Sequence, residues 1–240
     1  MTRALEGRRC IVTGGSRNLG RAICLAFARA GARVAFTYSS REEDAAETER
    51  LLRAEGGEVL VQRGSVADAA HVTAAVAAVQ AAWGGVDVLV NNAATLQVLP
   101  IALLDEGDWD GVMAVNVKGA YLFSRAVLKS MIRARRGHII NIGSFGADRV
   151  VEAPVHYAAF TRALAKEVGR YGVVVNDLVP GLLESGVATR LPPHRVASYR
   201  EQAALGRLGK LDEIAALAAW MVSDDNSFMT GAKVVIDGGL

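Results

Sequence analysis

A glycine-rich turn follows the first apolar run of the chain, and its composition suits the binding of a phosphate group. The sequence TGGSRNLG at residues 13–20 leads from a strand into a helix that begins near Asn18. At such a junction the backbone N–H groups and the positive end of the helix dipole attract an anion, and glycines let it approach closely. Asn18 stands where a glycine is expected, and asparagine tolerates a left-handed backbone better than most residues. The turn therefore indicates a pyrophosphate site, although a plain tight turn has the same composition.

Several other chemistries lack the residues that they require. Cys10 and Cys24 are the two cysteines of the chain, both in apolar surroundings, and there is no CxxC motif or Cys/His cluster. The sequence therefore predicts no metal site and no disulfide framework. A serine hydrolase is not supported, because no Gly-x-Ser-x-Gly elbow occurs. His156 and His194 could each supply a proton, although a loop histidine more often has a structural role.

The glycine turn belongs to a regular alternation of apolar strand-like runs and amphipathic, alanine-rich segments. Strands are expected at Cys10–Thr13, Arg33–Thr37, Glu58–Val61, Val86–Val90, His138–Ile142, Val173–Leu178 and Lys233–Ile236. Helices are expected at Leu19–Ala30, Arg41–Glu55, Ala69–Trp83, Asp108–Ala134, Val155–Arg170 and Leu211–Val222. This alternation predicts an α/β fold, a single doubly wound Rossmann-type domain with a seven-stranded parallel sheet and helices on both faces. Leu182–Ala204 is the longest irregular segment, and such a segment near strand ends often covers a ligand.

Composition and charge argue against several kinds of partner. The 240 residues are 51% hydrophobic, which suffices for one large core, so a single domain over residues 1–240 is expected. The net charge is +2 with both signs interspersed, so we expect no nucleic acid partner and no anionic membrane. Met1–Arg9 lacks the apolar core of a signal peptide, and no apolar run reaches the length of about 18 residues that a membrane span needs. The sequence therefore predicts a soluble, cytoplasmic protein.

Segments spread over almost the whole chain resemble the motifs of one family, and they occur in that family's order. They are TGGSRNLG (13–20), NNAA (91–94), VNVKG (115–119), NIGS (141–144), Tyr157, PG (180–181), TG (230–231) and DGG (237–239). The chain thus resembles the short-chain dehydrogenases/reductases, and among them the β-ketoacyl carrier-protein reductase type. The resemblance implies the Rossmann-type fold that the alternation also predicts.

The resemblance implies catalytic roles for three residues. Tyr157 would donate a proton to a carbonyl group, Ser144 would polarise that carbonyl, and Asn116 would support a proton-carrying water. The pKa of a free tyrosine is near 10, so a nearby cation normally assists such an acid. Plainer interpretations of the same residues stay open: a packing role for Tyr157, a strand-end cap for Ser144 and a helix kink for Asn116.

The lysine that the family places four residues after its tyrosine is absent from this chain. Residues 157–166 read YAAFTRALAK, so Thr161 takes that position. Lys166 lies about half a helical turn out of phase with Tyr157, so it cannot substitute. Arg162 is nearer to Tyr157 in sequence. However, a guanidinium group does not titrate near neutral pH, and its planar shape places its N–H groups differently from the ammonium group of a lysine.

The absence has the form of a deletion. Relatives read Tyr-x-x-Ser-Lys, then several apolar residues, then Phe-Thr-Arg, whereas here Ala159 is followed directly by Phe160. About seven residues are missing by this comparison, which keeps the helix face but removes roughly 10 Å of helix. Because the helix must still lead into strand six, we expect a rearrangement there.

Two arginines indicate which nicotinamide cofactor the chain would use. NAD-binding proteins usually carry an acid at the end of strand two, whereas NADP-binding proteins avoid that charge and supply arginine. Here the strand ends TYSSR at residues 37–41, with no acid before Glu42, and Arg17 lies in the glycine turn. Either Arg17 or Arg41 alone would be an ordinary surface charge, but together they predict NADPH (NADP+).

The resemblance also implies a lining for the cofactor site and a class of partner. The candidate cofactor-binding residues are Gly14, Ser16, Arg17, Asn18, Leu19, Gly20, Ser39, Arg41, Ser65, Val66, Asn92, Ala93, Ala94, Pro180, Gly181 and Leu183. Ser65 stands where the family usually has an aspartate, which weakens the expected adenine pocket. The substrate would be a small-molecule or carrier-bound ketone, and a homodimer or homotetramer is expected. A catalytically silent binding or scaffold protein, or altered chemistry in the same pocket, stays open.

Overall fold

A seven-stranded parallel sheet forms the centre of the computed structural model, which describes residues 4–95, 103–144 and 157–240, with side chains from Phe160 onward in the last range. The strands are β1 (Arg9–Val12), β2 (Arg33–Tyr38), β3 (Val59–Arg63), β4 (Val88–Asn91), β5 (Gly137–Ile142), β6 (Val173–Pro180) and β7 (Lys233–Ile236). Their order across the sheet is β3-β2-β1-β4-β5-β6-β7, and every pairing is parallel. The predicted sheet is confirmed.

Helices cover both faces of this sheet. They are α1 (Asn18–Arg29), α2 (Glu42–Ala54), α3 (Ala69–Trp83), α4 (Glu106–Met113), α5 (Gly119–Ala134), α6 (Tyr157–Val168), α7 (Pro193–Gln202) and α8 (Leu211–Met221). α1, α2 and α8 share one hydrophobic core with the sheet, and α3, α5 and α6 share the other. No helix within the described ranges is both long and apolar enough to cross a membrane.

The central strands carry apolar residues at consecutive positions because both of their faces are buried. On β5, Ile139 belongs to the core under α3, α5 and α6, whereas Ile140 belongs to the core under α1, α2 and α8. Successive side chains of a strand point to opposite faces, so a strand between two helical layers needs apolar residues at consecutive positions. Burial of each such side chain contributes about 1.5–3 kcal/mol.

The strand order reverses between β1 and β4, and this reversal positions the candidate site. Chain segments leave two neighbouring strands in opposite directions there and open a crevice at their carboxyl ends. The glycine turn at residues 13–20 leaves β1 on one side of the crevice, and Asn92–Thr95 leave β4 on the other.

Two sequence-based expectations about helices were wrong. Asp108–Ala134 is not one continuous helix, because a π-helical turn at Ala114–Lys118 separates α4 from α5. Leu182–Ala204 is not irregular, since it contains the 3-10 turn Ala188–Arg190 and the helix α7. The sequence does not predict α7 because its residues, PHRVASYREQ, are mostly polar and form no apolar stripe. Tyr199 is the one buried residue of this helix.

The expected rearrangement before strand six is not found in the described part of the chain. β5 and β6 pair without interruption from Gly137 opposite Val173 to Ile142 opposite Leu178. α6 ends at Val168 and reaches β6 through a 3-10 turn and Gly172, whose φ of +74° suits glycine. The twelve residues of α6 still provide about three turns to pack on β6.

Candidate active site

The backbone of the glycine turn has the conformation that its sequence predicts. Gly14 has a φ of +65° and Asn18 a φ of +47°, both in the left-handed region. A Cβ atom at Gly20 would clash with the carbonyl oxygen of Gly14 and lie 2.7 Å from Nδ2 of Asn92. The absence of a side chain at Gly20 therefore lets α1 begin directly against the turn.

The first turn of α1 is open to an anion. Its N-cap residue, Arg17, forms no side-chain cap hydrogen bond, and no acid lies in the first turn. α3 differs, because the side chain of Asp68 accepts a hydrogen bond from the backbone N–H of Ala70 there. Unpartnered N–H groups and a helix dipole without a carboxylate suit a phosphate, so these residues fit a dinucleotide cofactor.

Thr13 and Asn92 join the two sides of the crevice. Oγ1 of Thr13 accepts hydrogen bonds from the backbone N–H groups of Asn92 and Ala93, both at 3.0 Å. Nδ2 of Asn92 donates to the carbonyl oxygens of Thr13 at 2.9 Å and Gly14 at 3.2 Å. These bonds hold the glycine turn against the segment after β4. The motif in the sequence includes Thr13 but does not reveal this role.

The two arginines predicted to face a 2′-phosphate flank the crevice at the ends of β1 and β2. Arg17 is partly buried, and Arg41 is exposed after the exposed Ser39. Nε of Arg41 lies 4.0 Å from Oδ2 of Asp44, so a carboxylate one helical turn away shares this charge. The sequence pattern at the end of β2 does not reveal this contact with Asp44.

Ser65 and Val66 contact the protein itself. Oγ of Ser65 accepts a hydrogen bond from the backbone N–H of Ala67 at 3.2 Å, which closes the turn before α3. Val66 is 7% exposed, and a Cβ atom at Gly119 would lie 2.6 Å from its Cγ2 atom. The side chain of Val66 therefore packs against the start of α5. That Ser65 and Val66 also contact a bound cofactor stays a prediction.

The segment after β6 lies over the glycine turn. Gly186 of this segment approaches Asn18, since a Cβ atom there would be 3.6 Å from Nδ2 of Asn18. The hydroxyl of Tyr199 on α7 accepts from the backbone N–H of Leu182 at 2.9 Å and donates to the carbonyl oxygen of Asp237 at 2.9 Å. Tyr199 thus fastens this lid-like segment to the chain end, while Pro180 and Gly181 lie buried at its base.

Asn116 fastens the π-helical turn to the segment after β4. Oδ1 of Asn116 accepts from the backbone N–H of Thr95 at 2.8 Å, and Nδ2 donates to the carbonyl oxygen of Thr95 at 2.9 Å. The side chain is 5% exposed. This geometry supports the helix-kink interpretation of Asn116, and its support of a water stays a proposal.

Ser144 and Tyr157 stand at the ends of neighbouring elements. Ser144 is partly buried, two residues after the end of β5, and Tyr157 is the first residue of α6. His156 lies outside the described residues, as does the rest of 145–156. His194 is an exposed residue of α7.

Thr161, which takes the position of the family's lysine, is hydrogen-bonded to the sheet. Nδ2 of Asn141 on β5 donates a hydrogen bond to Oγ1 of Thr161 at 2.9 Å, and Thr161 is 1% exposed. Oδ1 of Asn141 in turn accepts from Nδ2 of Asn91 at 2.8 Å. Lys166 and Arg162 lie on the exposed face of α6. That Lys166 does not replace the missing lysine stays a prediction.

Asp177 is a residue of this region that sequence reasoning missed. It lies on β6, is 2% exposed, and burial raises the pKa of its carboxyl to about 6. The signal in the sequence was an acid inside the apolar run Val173–Leu178, where a strand between two helical layers has no water to hydrate it.

A parallel sheet whose crevice is suited to a phosphate, with candidate proton donors at neighbouring strand and helix ends, is characteristic of nucleotide-dependent oxidoreductases. Comparison with known proteins agrees: residues 14–240 match the family model described as enoyl-(acyl carrier protein) reductase. The chain belongs to the short-chain dehydrogenase/reductase family and is an oxidoreductase of that family.

Similar proteins cover the chain almost completely. The 3-oxoacyl-[acyl-carrier-protein] reductase FabG of Pseudomonas aeruginosa is 35% identical over 246 residues, with 99% of this chain and 98% of that protein covered. FabG of Thermotoga maritima is 34% identical, with 98% of each chain covered. A short-chain dehydrogenase from Burkholderia cenocepacia, solved in complex with NADP, is 33% identical with a TM-score of 0.90 and 98% of each chain covered.

Proposed function

We propose that this chain reduces a ketone with NADPH, and that the substrate class is a 3-oxoacyl thioester, free or bound to a carrier protein. The observation that carries the proposal is the match over nearly the whole chain to reductases named for such substrates. The open first turn of α1 supports a phosphate-bearing cofactor, and the Burkholderia cenocepacia relative was solved with NADP.

Each part of the site has a task in this reaction. Bound NADPH would supply the hydride. The turn at residues 13–20 would hold the pyrophosphate through its N–H groups. The hydroxyl of Ser144 would donate a hydrogen bond to the substrate carbonyl oxygen, and Tyr157 would give its phenolic proton to that oxygen. Reduction suits a tyrosine without a neighbouring lysine, because the phenol is already protonated at neutral pH.

The direct test uses the purified chain, NADPH and acetoacetyl-coenzyme A as a soluble 3-oxoacyl thioester. We expect saturable binding of NADPH by calorimetry and substrate-dependent loss of NADPH absorbance. A chain that binds no NADPH, with or without substrate, would contradict the proposal.

A catalytically silent nucleotide-binding protein is the second candidate. The observation that favours it is the hydrogen bond between Asn141 and Thr161. The residue at the position of the family's lysine thus binds a side chain of the sheet and supplies no cation to the site. This candidate predicts NADPH binding without turnover of any 3-oxoacyl thioester or simple ketone. The same titration and turnover assay separates it from the reductase.

NADPH is expected to bind about tenfold or more tightly than NADH. The reason is a charge-assisted contact between the 2′-phosphate and Arg17 or Arg41, worth roughly 1.5–3 kcal/mol. Calorimetric titration of both nucleotides measures the ratio. Replacing both arginines by alanine should abolish the preference and leave NADH affinity unchanged, while Arg53→Ala on the exposed face of α2 should change neither value. Equal affinities of the native chain for NADPH and NADH would contradict this prediction.

We further infer that the chain self-associates through the edge strand β7. Val235 on β7 is 50% exposed, and Phe228 just before this strand is fully exposed. An open strand edge beside apolar side chains suits pairing with another copy. Light scattering at micromolar concentration should give a dimer or larger mass, which Phe228→Glu combined with Val235→Lys should lower. The control is Trp109→Glu, which changes an exposed apolar residue on α4, away from β7, and should leave the mass unchanged. A monomeric native chain would refute the inference.

A further inference from the structure

A buried carboxyl group lies against Gly143, the residue before Ser144. Asp177 on β6 stands opposite Asn141 on β5 in the sheet register. Val173 and Val175 of the same strand belong to the core under α6, so the period of two along a strand places Asp177 on the α6 face as well. The carboxyl is therefore beside the hydrogen bond between Asn141 and Thr161, one helical turn from the start of α6.

The space that this carboxyl occupies exists because residue 143 is glycine. A Cβ atom at Gly143 would lie 2.8 Å from Oδ1 and 3.2 Å from Oδ2 of Asp177. Ser144 follows immediately in the chain. Oδ1 of Asp177 is buried and has no hydrogen-bond partner among residues 4–95, 103–144 and 157–240. The carboxyl thus rests against the backbone that carries the candidate catalytic serine.

We propose that Asp177 is a positioning residue that acts through Ser144, permitting ketone reduction while its carboxyl is neutral and opposing reduction when it is ionised. This inference rests on the proposed function. Reduction of a carbonyl builds negative charge on its oxygen, at the hydroxyl of Ser144 in the proposed reaction. A carboxylate packed against Gly143, the residue before Ser144, repels this charge across a medium that contains little water.

The titration of Asp177 falls in a useful range. Burial raises its pKa to about 6, and no charged group contributes to the rise. Asn141 and Thr161, which lie beside it, are neutral. Lys233 of β7 is its register partner. The charged side chains on the packed helices lie on their exposed faces: Arg162, Lys166 and Glu167 on α6, and Arg125, Lys129 and Arg133 on α5. His138 on β5 differs from Asn141 by an odd number of positions, so it belongs to the other face of the sheet.

The test is the pH dependence of reduction in the native chain and in Asp177→Asn. The amide has the size of the carboxyl and is neutral at every pH, so it imitates the protonated form. With NADPH and acetoacetyl-coenzyme A, turnover of the native chain should fall at least about fivefold as the pH rises from 5 to 8. Asp177→Asn should lack this fall, and Asp225→Asn, which removes an exposed acid, should retain it.

Thermal unfolding supplies a second readout that does not depend on activity. Because the folded chain holds the proton of Asp177 with a pKa of about 6, against about 4 when unfolded, the chain loses stability as the pH rises from about 4 through 6. Asp177→Asn escapes this loss, so its Tm should exceed that of the native chain by about 5 °C or more at pH 8 and match it near pH 4. Asp177→Thr is the second variant if the asparagine form does not fold.

The outcomes are distinct. A raised Tm at pH 8 with an unchanged pH profile would show a buried acid without influence on the reaction and overturn the inference. A uniform loss of turnover at every pH in Asp177→Asn overturns it as well, since that is the effect of a structural residue. If the native chain binds NADPH but turns over no substrate, the proposed function fails first, and the inference fails with it.

Discussion

Substitution of Tyr157 by phenylalanine is expected to lower the turnover of a 3-oxoacyl thioester by about 10²–10⁴-fold. This is the range that a positioned general acid contributes to a reaction. The substitution removes only the phenolic hydroxyl, so NADPH affinity should change far less than turnover. Steady-state kinetics with acetoacetyl-coenzyme A and calorimetry with NADPH measure the two effects.

Tyr171→Phe is the matched control for this experiment. Tyr171 lies in the 3-10 turn after α6, at the far end of the helix from Tyr157, and its hydroxyl accepts a hydrogen bond from Arg170 at 2.7 Å. Its loss should leave turnover nearly unchanged. If Tyr157→Phe keeps turnover within about threefold of the native value, another group donates the proton, and the assignment of Tyr157 is wrong.

Insertion of a seven-residue segment beginning Ser-Lys between Ala159 and Phe160 is expected to raise turnover at least about tenfold. The insertion places a lysine four residues after Tyr157, and seven residues nearly complete two helical turns, so the faces of α6 are kept. A cation one turn from the phenol lowers its pKa. In the family that the chain resembles, the tyrosine and this lysine also hold the nicotinamide ribose, so the inserted lysine would help to position the nicotinamide. Tenfold corresponds to about 1.4 kcal/mol of barrier.

The direction of the reaction sharpens this experiment. Reduction uses the neutral phenol, whereas oxidation of an alcohol requires the tyrosinate, so the insertion should accelerate oxidation more than reduction. The control is the same segment with glutamine in place of its lysine, which lengthens α6 without adding charge. Equal gains from the lysine and glutamine versions would assign the effect to helix length. No gain in an already fast enzyme means that another residue performs the task of the lysine.

A bound cofactor offers an independent view of the same question. The pyrophosphate turn and the two arginines belong to the first part of the chain, which carries no apparent deletion. We therefore expect an ordered adenosine and a mobile nicotinamide in a crystal structure of the native chain with NADP+. A well-ordered nicotinamide together with brisk turnover would contradict the deletion hypothesis.

Sequence alone determined the features that depend on local chemistry. Consecutive apolar residues predicted buried parallel strands. Helical periodicity predicted α1, α2, α3, α6 and α8 to within a few residues at their ends, but it merged α4 with α5 and missed α7. The glycine turn and the left-handed Asn18 followed from backbone sterics, which depend on a few neighbouring residues. Thr161 at the lysine position could be read directly, because it is a matter of spacing along one helix.

Only the tertiary structure decided which polar groups meet across the sheet. The hydrogen bond from Asn141 to Thr161 and the approach of Asp177 to Gly143 join residues that are distant in sequence. Both depend on the register of β5 against β6 and on the rotation of α6, which no local pattern reveals. Because a one-residue slip of register would turn Asp177 to the opposite face, its burial against Gly143 is a property of the assembled sheet.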